Sequence, residues 1–169
     1  MKKLIISIVI CMTALSCKAQ STINTTTITS LDVERYMGHW YELARYDHSF
    51  ERDMEYCQAQ YTMLPNGKIR VENSGVNSKN GKHKNTIGKA KMGDAPGQLK
   101  VSFFIFFYSD YNILALDNNY EWALIGSKSP KYLWILSRTP KLTQPVMDGI
   151  LSIAKQRGYD TSKLIFVKQ

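Results

Sequence analysis

Few side chains in this sequence could carry catalytic or metal chemistry, and they are scattered along the chain. The three histidines, His39, His48 and His83, have neither the spacing of metal ligands nor a carboxylate companion that would indicate a metal site. The sequence also contains no glycine-rich phosphate-binding loop and no nucleophile elbow. We therefore expect neither a metal ion nor a cofactor.

Cys57 is the one side chain for which nucleophilic chemistry is a serious alternative. It shares the alternate positions of its segment with Ala59, Tyr61 and Met63, which predicts that these side chains point into the interior of a sheet. A thiol reacts as its thiolate, and no cationic residue flanks Cys57 in the sequence to lower its pKa. A small inward-facing side chain is the favoured interpretation, and an isomerase or peroxide scavenger that uses Cys57 is the alternative.

The first twenty residues have the pattern of an export signal rather than of a folded element. Lys2 and Lys3 form a positive start, and the apolar run that follows, residues 4–15, is too short to span a bilayer core of about 30 Å. The segment "ALSC" resembles the bacterial lipobox, so the signal covers residues 1–16 if Cys17 is lipidated and residues 1–19 otherwise. The first case predicts an outer-membrane lipoprotein on the periplasmic or surface face, and the second a soluble periplasmic or secreted protein.

The remaining composition predicts one domain and limits its partners. Residues 20–30 are polar and predict a flexible lead-in, and residues 31–169 are long enough for a single core that is stable without disulfides. The formal net charge is +8, and basic residues concentrate at 79–91 without the aromatic residues that a nucleic-acid surface usually adds. We expect no nucleic-acid partner. A solvated hairpin is favoured for this segment, and attraction to anionic lipid head groups is the alternative.

Beyond residue 38 the hydrophobic pattern alternates with period two, which indicates β-strands. Two alternating runs flank a Pro-Asn-Gly turn at residues 65–67, and residues 98–138 contain four further β-rich runs. Three polar breaks are predicted to separate these four runs: Asp110, Asn118–Asn119 and residues 127–130. Short strands joined by tight turns at this spacing predict an up-and-down sheet.

One segment has helical rather than alternating spacing. Its apolar residues are Val146, Ile150, Ile153 and Ala154. Thr143 is the predicted N-cap, Gly158 the predicted stop, and residues 163–169 a last strand. The whole pattern predicts an all-β fold: an eight-stranded antiparallel up-and-down barrel with one C-terminal α-helix packed outside and a short final strand.

Motifs in the expected order resemble the lipocalin family. "GHWYELARYDHSFER" (38–52) resembles the Gly-x-Trp signature, and "WILSRTP" (134–140) resembles the late arginine motif. "YNILALDNNYEWALI" (111–125) resembles the bacterial outer-membrane, Blc-like lipocalins, which are akin to apolipoprotein D. The resemblance runs from about Leu31 to Gln169. It implies a non-enzymatic protein that binds and carries or stores a fatty acid or lysophospholipid at the bacterial cell envelope.

The resemblance also implies roles for individual residues. Trp40 and Arg138 stack at the closed end of the barrel and Gly38 permits close backbone approach, so these residues are structural. Strand parity from an inward Arg138 then predicts which side chains line the cavity. They are Ala59, Tyr61, Val71, Asn73, Val101, Phe103, Tyr132, Trp134 and Leu136. His48 is a candidate contact for a ligand head group, and Glu42 should be buried and hydrogen-bonded to an arginine or tyrosine.

The run "FFIFF" (103–107) is apolar on both faces, so that parity does not orient its later members. If Phe104 and Phe106 face outward, they form a patch for the membrane, a partner or a second copy in a homodimer. Burial beneath the helix is the alternative. An interaction protein that presents this patch is therefore a further functional hypothesis.

Overall fold

The computed structural model describes residues 23–104 and 107–169. The signal segment, including Cys17, lies outside the described residues. Within them the helices are α1 (Val33–Tyr36), α2 (Gln144–Gln156) and a 3₁₀ turn (Thr161–Lys163). The strands are β1 (Gly38–Tyr46), β2 (Met54–Met63), β3 (Ile69–Asn77), β4 (His83–Met92), β5 (Gln98–Phe104), β6 (Phe107–Leu116), β7 (Trp122–Gly126), β8 (Leu133–Ser137) and β9 (Leu164–Phe166).

Strands β1 to β8 close into an antiparallel up-and-down barrel, because β1 pairs with β2 on one side and with β8 on the other. The short β9 pairs with the second half of β1 outside this ring. The predicted fold class is confirmed. The loops after β1, β3, β5 and β7 lie together at the end of the barrel opposite to the start of β1. We call this end the mouth.

Buried apolar side chains form two layers, because alternate residues of each strand point to opposite faces of the wall. One layer fills the barrel interior around Trp40 and Tyr61. The other lies between the wall and α2, where Ile150 and Ala154 are fully buried. Helix α2 begins directly after Thr143, as predicted. Among the described residues, no helix is long and apolar enough to cross a membrane.

The predicted break at Asp110 is wrong. Asp110 lies within β6 opposite Lys100 and forms an ion pair with it. The chain instead reverses between Phe104 and Phe107, which pair with each other across the β5–β6 hairpin. A carboxylate inside a strand is tolerated because a lysine on the neighbouring strand satisfies its charge.

The predicted lead-in over residues 20–30 contacts the barrel in the part that the structure describes. The Asn24 amide donates to the Arg157 carbonyl at 2.8 Å, and the Ile28 amide donates to the Ile113 carbonyl at 3.0 Å. Ile28 also packs against the interior cluster close to Gly97. Ile23 and Ile28, the two apolar residues of this otherwise polar segment, therefore hold it against the barrel wall.

The residues after β9 complete the barrel wall near the mouth. β1 and β2 pair only as far as Tyr41 and Gln58. Beyond that point the last residues of the chain lie between the two strands. The Val167 amide donates to the Leu43 carbonyl at 2.9 Å, and the Tyr56 amide donates to the Lys168 carbonyl at 2.7 Å. Sequence periodicity did not predict this insertion.

Candidate functional site

The closed end of the barrel is sealed by Trp40 and Arg138. The guanidinium carbon of Arg138 lies 3.7 Å from the centre of the Trp40 ring. Arg138 also donates to the carbonyls of His39 and Arg35, each at 2.7 Å. A Cβ on Gly38, whose φ is +93°, would lie 3.4 Å from the Arg138 guanidinium. The Arg138 guanidinium is thus held by groups of the chain itself at the closed end.

Three tyrosines form a hydrogen-bonded network above this floor. The hydroxyls of Tyr36 and Tyr111 are 2.6 Å apart, and the Tyr61 hydroxyl donates to Tyr111 at 3.2 Å. Burial raises the pKa of all three phenols, that of Tyr61 to about 12. The network therefore stays neutral and fills the lower barrel. Tyr36 comes from α1, which sequence periodicity did not predict, so only Tyr61 was expected here.

The nine residues predicted to line the cavity divide by exposure. Ala59, Tyr61, Val71 and Leu136 are buried in the interior cluster. Asn73, Val101, Phe103, Tyr132 and Trp134 retain exposed surface. An inward side chain that keeps solvent-accessible surface must border a space that solvent can enter. Solvent therefore reaches the barrel interior next to these five residues. The accessible surface of the predicted lining therefore lies toward the mouth and not at the floor.

An aromatic cluster with one carboxylate stands at the mouth. The Trp134 indole Nε1 donates to Glu51 Oε2 at 3.1 Å, and the rings of Trp134 and Tyr132 stack at 5.8 Å. His48 is buried in this cluster, with its ring 4.8 Å from Phe50 and its Nε2 3.1 Å from Glu51 Oε2. The structure thus places His48 beside the predicted lining. Its nearest charged group is a carboxylate of the chain itself.

Glu42 and Arg45 form a buried pair below the mouth loop. Arg45 Nη1 donates to Glu42 Oε1 at 2.7 Å, which confirms that Glu42 has an arginine partner. A bulge in β1 between Glu42 and Ala44 turns both side chains to the same side of the wall. Burial, followed by the charge of Glu51, raises the pKa of Glu42 to about 8, and Arg45 offsets only part of this effect.

Cys57 lies behind the same bulge and is 6% exposed. Its Sγ is 3.9 Å from Nη1 of Arg45, a cation from another strand that the sequence around Cys57 did not indicate. Burial, followed by the charge of Glu42, nevertheless raises the pKa of Cys57 to about 12. The thiol therefore stays protonated, and the surroundings do not prepare it as a nucleophile.

The apolar run at the β5–β6 hairpin is exposed on both sides of the turn. Phe104 is 77% exposed and Phe107 is 82% exposed, and Phe50 on the β1–β2 loop of the mouth is 52% exposed. Phe106, the other member of the predicted patch, lies outside the described residues. Phenylalanines thus lie around the mouth. Of the predicted pair, the structure describes Phe104 and not Phe106.

Two concavities of the described residues lie outside the barrel interior. One of about 210 Å³ lies on the outer wall beside His39, Gln60 and Glu72. The other, of about 400 Å³, lies between the mouth loop and β9, beside Arg52 and Phe166. Charged side chains border both, and amide side chains border the first. Within residues 23–104 and 107–169, no three His, Cys, Asp or Glu side chains are grouped to hold a metal ion.

Comparisons with known proteins agree with this geometry. A family model described as a lipocalin-like domain matches residues 31–169. The outer membrane lipoprotein Blc of Escherichia coli (strain K12) is 44% identical over 146 residues, which cover 85% of this chain and 82% of that protein. Mouse apolipoprotein D is 32% identical over 151 residues, which cover 83% and 78% of the two chains.

Solved structures show the same fold at low sequence identity. Insecticyanin from the tobacco hornworm Manduca sexta superimposes with a TM-score of 0.71 at 21% identity, covering 86% of this chain and 85% of that one. Lobster apocrustacyanin A1 superimposes with a TM-score of 0.67 at 16% identity, covering 82% and 79%. At these identities the likeness concerns the barrel architecture alone.

Proposed function

This chain belongs to the lipocalin family, whose barrels bind small hydrophobic ligands, and from that premise we propose that it binds a fatty acid or a lysophospholipid in the part of its barrel near the mouth. The observation that carries the proposal is the accessible inward surface of Val101, Phe103 and Trp134 above a packed floor. An alkyl chain there contacts apolar walls on several sides. The head group then lies at the aromatic mouth.

The energetics of this binding need no specific polar contact. Removing an alkyl chain from water is worth about 0.8 kcal/mol per methylene, so a sixteen-carbon chain offers roughly 12 kcal/mol before the costs of association. Even when about a third of this is lost to ordering and incomplete burial, micromolar binding remains, since it requires about 8 kcal/mol. The apolar side chains near the mouth are sufficient for this task.

We also propose that the protein carries or stores its ligand at the bacterial outer membrane. The relatives named outer membrane lipoprotein, at 44% and 41% identity in Escherichia coli and Vibrio cholerae, support this location. The export signal and the lipobox-like cysteine of the sequence, Cys17, are consistent with it. Mass spectrometry of protein purified from its native membrane tests the acylation of Cys17 and identifies any retained lipid.

Intrinsic fluorescence provides the direct test of ligand binding. Trp134 borders the accessible interior, whereas Trp40 is fully buried under Arg138. We expect fatty acids and lysophospholipids with chains of twelve to eighteen carbons to change the emission, with affinity rising by up to about fourfold per methylene. A Trp134→Phe variant should lose most of the signal while calorimetry still detects binding.

The opposite results would overturn the proposal. If no ligand of the series gives either a fluorescence change or heat of binding, lipid carriage fails. If the signal persists unchanged in Trp134→Phe, the ligand binds elsewhere. Because Trp122 lies on the other side of the wall among the residues that pack toward α2, Trp122→Phe is the matched control and should leave the signal in place.

A second candidate function is contact with a membrane or partner through the rim of the mouth. The specific observation in its favour is the exposure of Phe104 and Phe107, two large apolar side chains on one hairpin. Such a contact is compatible with ligand carriage, since the rim surrounds the entrance to the barrel. Catalysis by Cys57 has no comparable support, because its thiol is buried and its pKa is raised.

A further inference from the structure

Asn73 is a polar side chain without a partner in the barrel interior. It lies on β3 directly opposite Ala59 of β2, whose side chain belongs to the interior cluster. Its Oδ1 is buried, and its side chain makes no hydrogen bond with any described residue. Burying an amide without a hydrogen bond costs free energy, so a group from outside the chain is expected to satisfy it.

Thr86 stands next to Asn73 on the same face of the sheet. The register of β3 and β4 pairs Asn73 with Thr86, and it pairs the interior residues Ile69 and Val71 with Ala90 and Gly88. Thr86 is therefore also turned inward, about 5 Å from Asn73 between their Cβ atoms. It is half-buried, and its hydroxyl, too, makes no hydrogen bond within the described part of the chain.

Toward the closed end the neighbours of this pair are apolar, whereas Lys84 lies two positions from Thr86 toward the mouth on the same face and donates to the Phe50 carbonyl at 3.0 Å. Ala59 lies on one side of Asn73, and the Phe103 ring lies over Gly88 so closely that a Cβ there would be 2.6 Å from it. An amide and a hydroxyl together offer donors and acceptors at one point of an apolar wall. A ligand hydroxyl is the smallest neutral group that both accepts from and donates to such a pair.

We propose that Asn73 and Thr86 form a subsite that recognises a hydroxyl group on the acyl chain of the ligand. The inference rests on the proposed function and specifies its ligand class, which is hydroxylated fatty acids or lysolipids that carry such acyl chains. Asn73 lies four positions from the mouth end of β3, Asn77, and Thr86 three positions from the mouth end of β4, His83.

The depth of the pair determines where the hydroxyl must lie on the ligand. Three to four residues correspond to roughly 10–13 Å along a strand, or about 8–10 Å below the rim when strands tilt by 35–45°. With the carboxylate at the mouth, this depth reaches the middle of the acyl chain. A hydroxyl beside the carboxylate remains near the rim and does not reach Asn73.

The test compares three ligands on the purified, lipid-stripped protein by calorimetry. They are stearate, stearate with a mid-chain hydroxyl, and stearate with a hydroxyl on the carbon next to the carboxylate. In wild type, we expect the mid-chain hydroxyl to strengthen binding by roughly three- to tenfold relative to the other two. A hydroxyl in an apolar pocket without partners would instead weaken binding.

Asn73→Leu and Thr86→Val remove the polar atoms at nearly constant volume. The double variant should lose the preference for the mid-chain hydroxyl and bind plain stearate at least as tightly as wild type, because no unpaired amide remains. Asn85→Leu is the matched control, since Asn85 precedes Thr86 on β4 and is exposed on the opposite face. It should leave all three affinities unchanged.

The outcomes separate this inference from the proposed function. If stearate itself does not bind, the proposed function fails. If stearate binds but wild type does not prefer the mid-chain hydroxyl, or if the preference survives in the double variant, the subsite does not exist and water alone satisfies Asn73. A thermal melt of each variant verifies that it is folded, and we expect no loss of stability from Asn73→Leu.

Discussion

The guanidinium carbon of Arg138 lies 3.7 Å above the Trp40 ring, so that a cation from the end of β8 covers an indole from the start of β1. The same guanidinium donates to carbonyls of His39, Arg35 and Tyr120, which belong to three separate segments. Arg138, which follows β8, thus links α1, β1 and the loop between β6 and β7. This contact is a feature of the closed end, far from the accessible interior.

Replacing Arg138 by lysine should therefore lower stability and leave the mouth intact. Lysine keeps the charge but cannot donate to several carbonyls from one planar group. We expect Arg138→Lys to cost about 2–4 kcal/mol in the free energy of unfolding, from weaker stacking and unpaired carbonyls. Urea denaturation measures the loss.

Arg70→Lys is the control for this substitution, because Arg70 is exposed and forms an ion pair with Glu72 on the same strand. Its effect should stay below about 0.5 kcal/mol. If Arg138→Lys weakens ligand binding more than it weakens the fold, Arg138 contacts the ligand and our structural interpretation of the closed end is wrong.

Cys57 should be unreactive in the folded protein. Its pKa of about 12 leaves almost no thiolate at pH 8, and its side chain is buried. We expect alkylation by iodoacetamide to be at least roughly a hundredfold slower than in the urea-unfolded chain, as read by mass spectrometry of the Cys57 peptide.

Cys57→Ala separates a carrier from an enzyme that uses the thiol. The variant should keep full ligand affinity, because Cys57 lies in the wall behind Arg45. Fast alkylation of the native protein together with a turnover that disappears in Cys57→Ala would establish the enzymatic alternative instead.

The sequence predicted the features that depend on short-range pattern. Alternation and turn residues indicated the strands, helical spacing indicated α2, and the signature motifs indicated that Trp40 and Arg138 meet. Parity from Arg138 then placed Trp134 on the inward face, where the structure has it close to Glu51. Each of these inferences depends only on the types of neighbouring residues or on the signature motifs near the two ends of the chain.

The features that the sequence did not predict depend on contacts between distant segments. The bulge that turns Arg45 toward Glu42 and Cys57 adds one residue to β1 and reverses parity beyond it. Asp110 looked like a turn residue because its partner Lys100 lies on another strand. Ile28 looked like part of a loose tether because its contact, Ile113, is far along the chain.

The stability of the fold should decrease as the pH rises through the range in which Glu42 titrates. Burial raises the pKa of Glu42 from 4.5 to about 8 in the folded protein, so the folded state binds the proton more tightly than the unfolded state does. The resulting stabilisation is complete below pH 4.5 and is lost as the pH rises toward 8.

Glu42→Gln should flatten this part of the stability profile, because glutamine stays neutral at every pH. Urea midpoints measured at intervals from pH 5 to pH 9 test the slope in wild type and in the variant. Glu72→Gln, at a partly exposed carboxylate, is the control. A wild-type profile that rises toward pH 8 would show that the Arg45 ion pair outweighs burial.

The phenylalanines at the mouth should bring the barrel entrance to a lipid surface. Phe104 and Phe107 are more than three-quarters exposed, and Lys82 and Lys131 on neighbouring loops form no ion pair within the described residues. Apolar side chains that partition into the interface and lysines that attract anionic head groups reinforce each other. The rim therefore combines the two contributions that hold peripheral proteins on bilayers.

We expect Phe104→Ser combined with Phe107→Ser to weaken co-sedimentation with vesicles of phosphatidylethanolamine and phosphatidylglycerol by roughly tenfold or more. All three chains that are compared carry Cys17→Ser, so that no acyl anchor contributes. Phe166→Ser removes a phenylalanine that is 59% exposed on the outer strand β9 and should leave vesicle binding unchanged. Suppose instead that vesicles bind equally to all three chains and that Phe104→Ser combined with Phe107→Ser converts a dimer into a monomer. Phe104 and Phe107 would then form an interface between two copies of the protein.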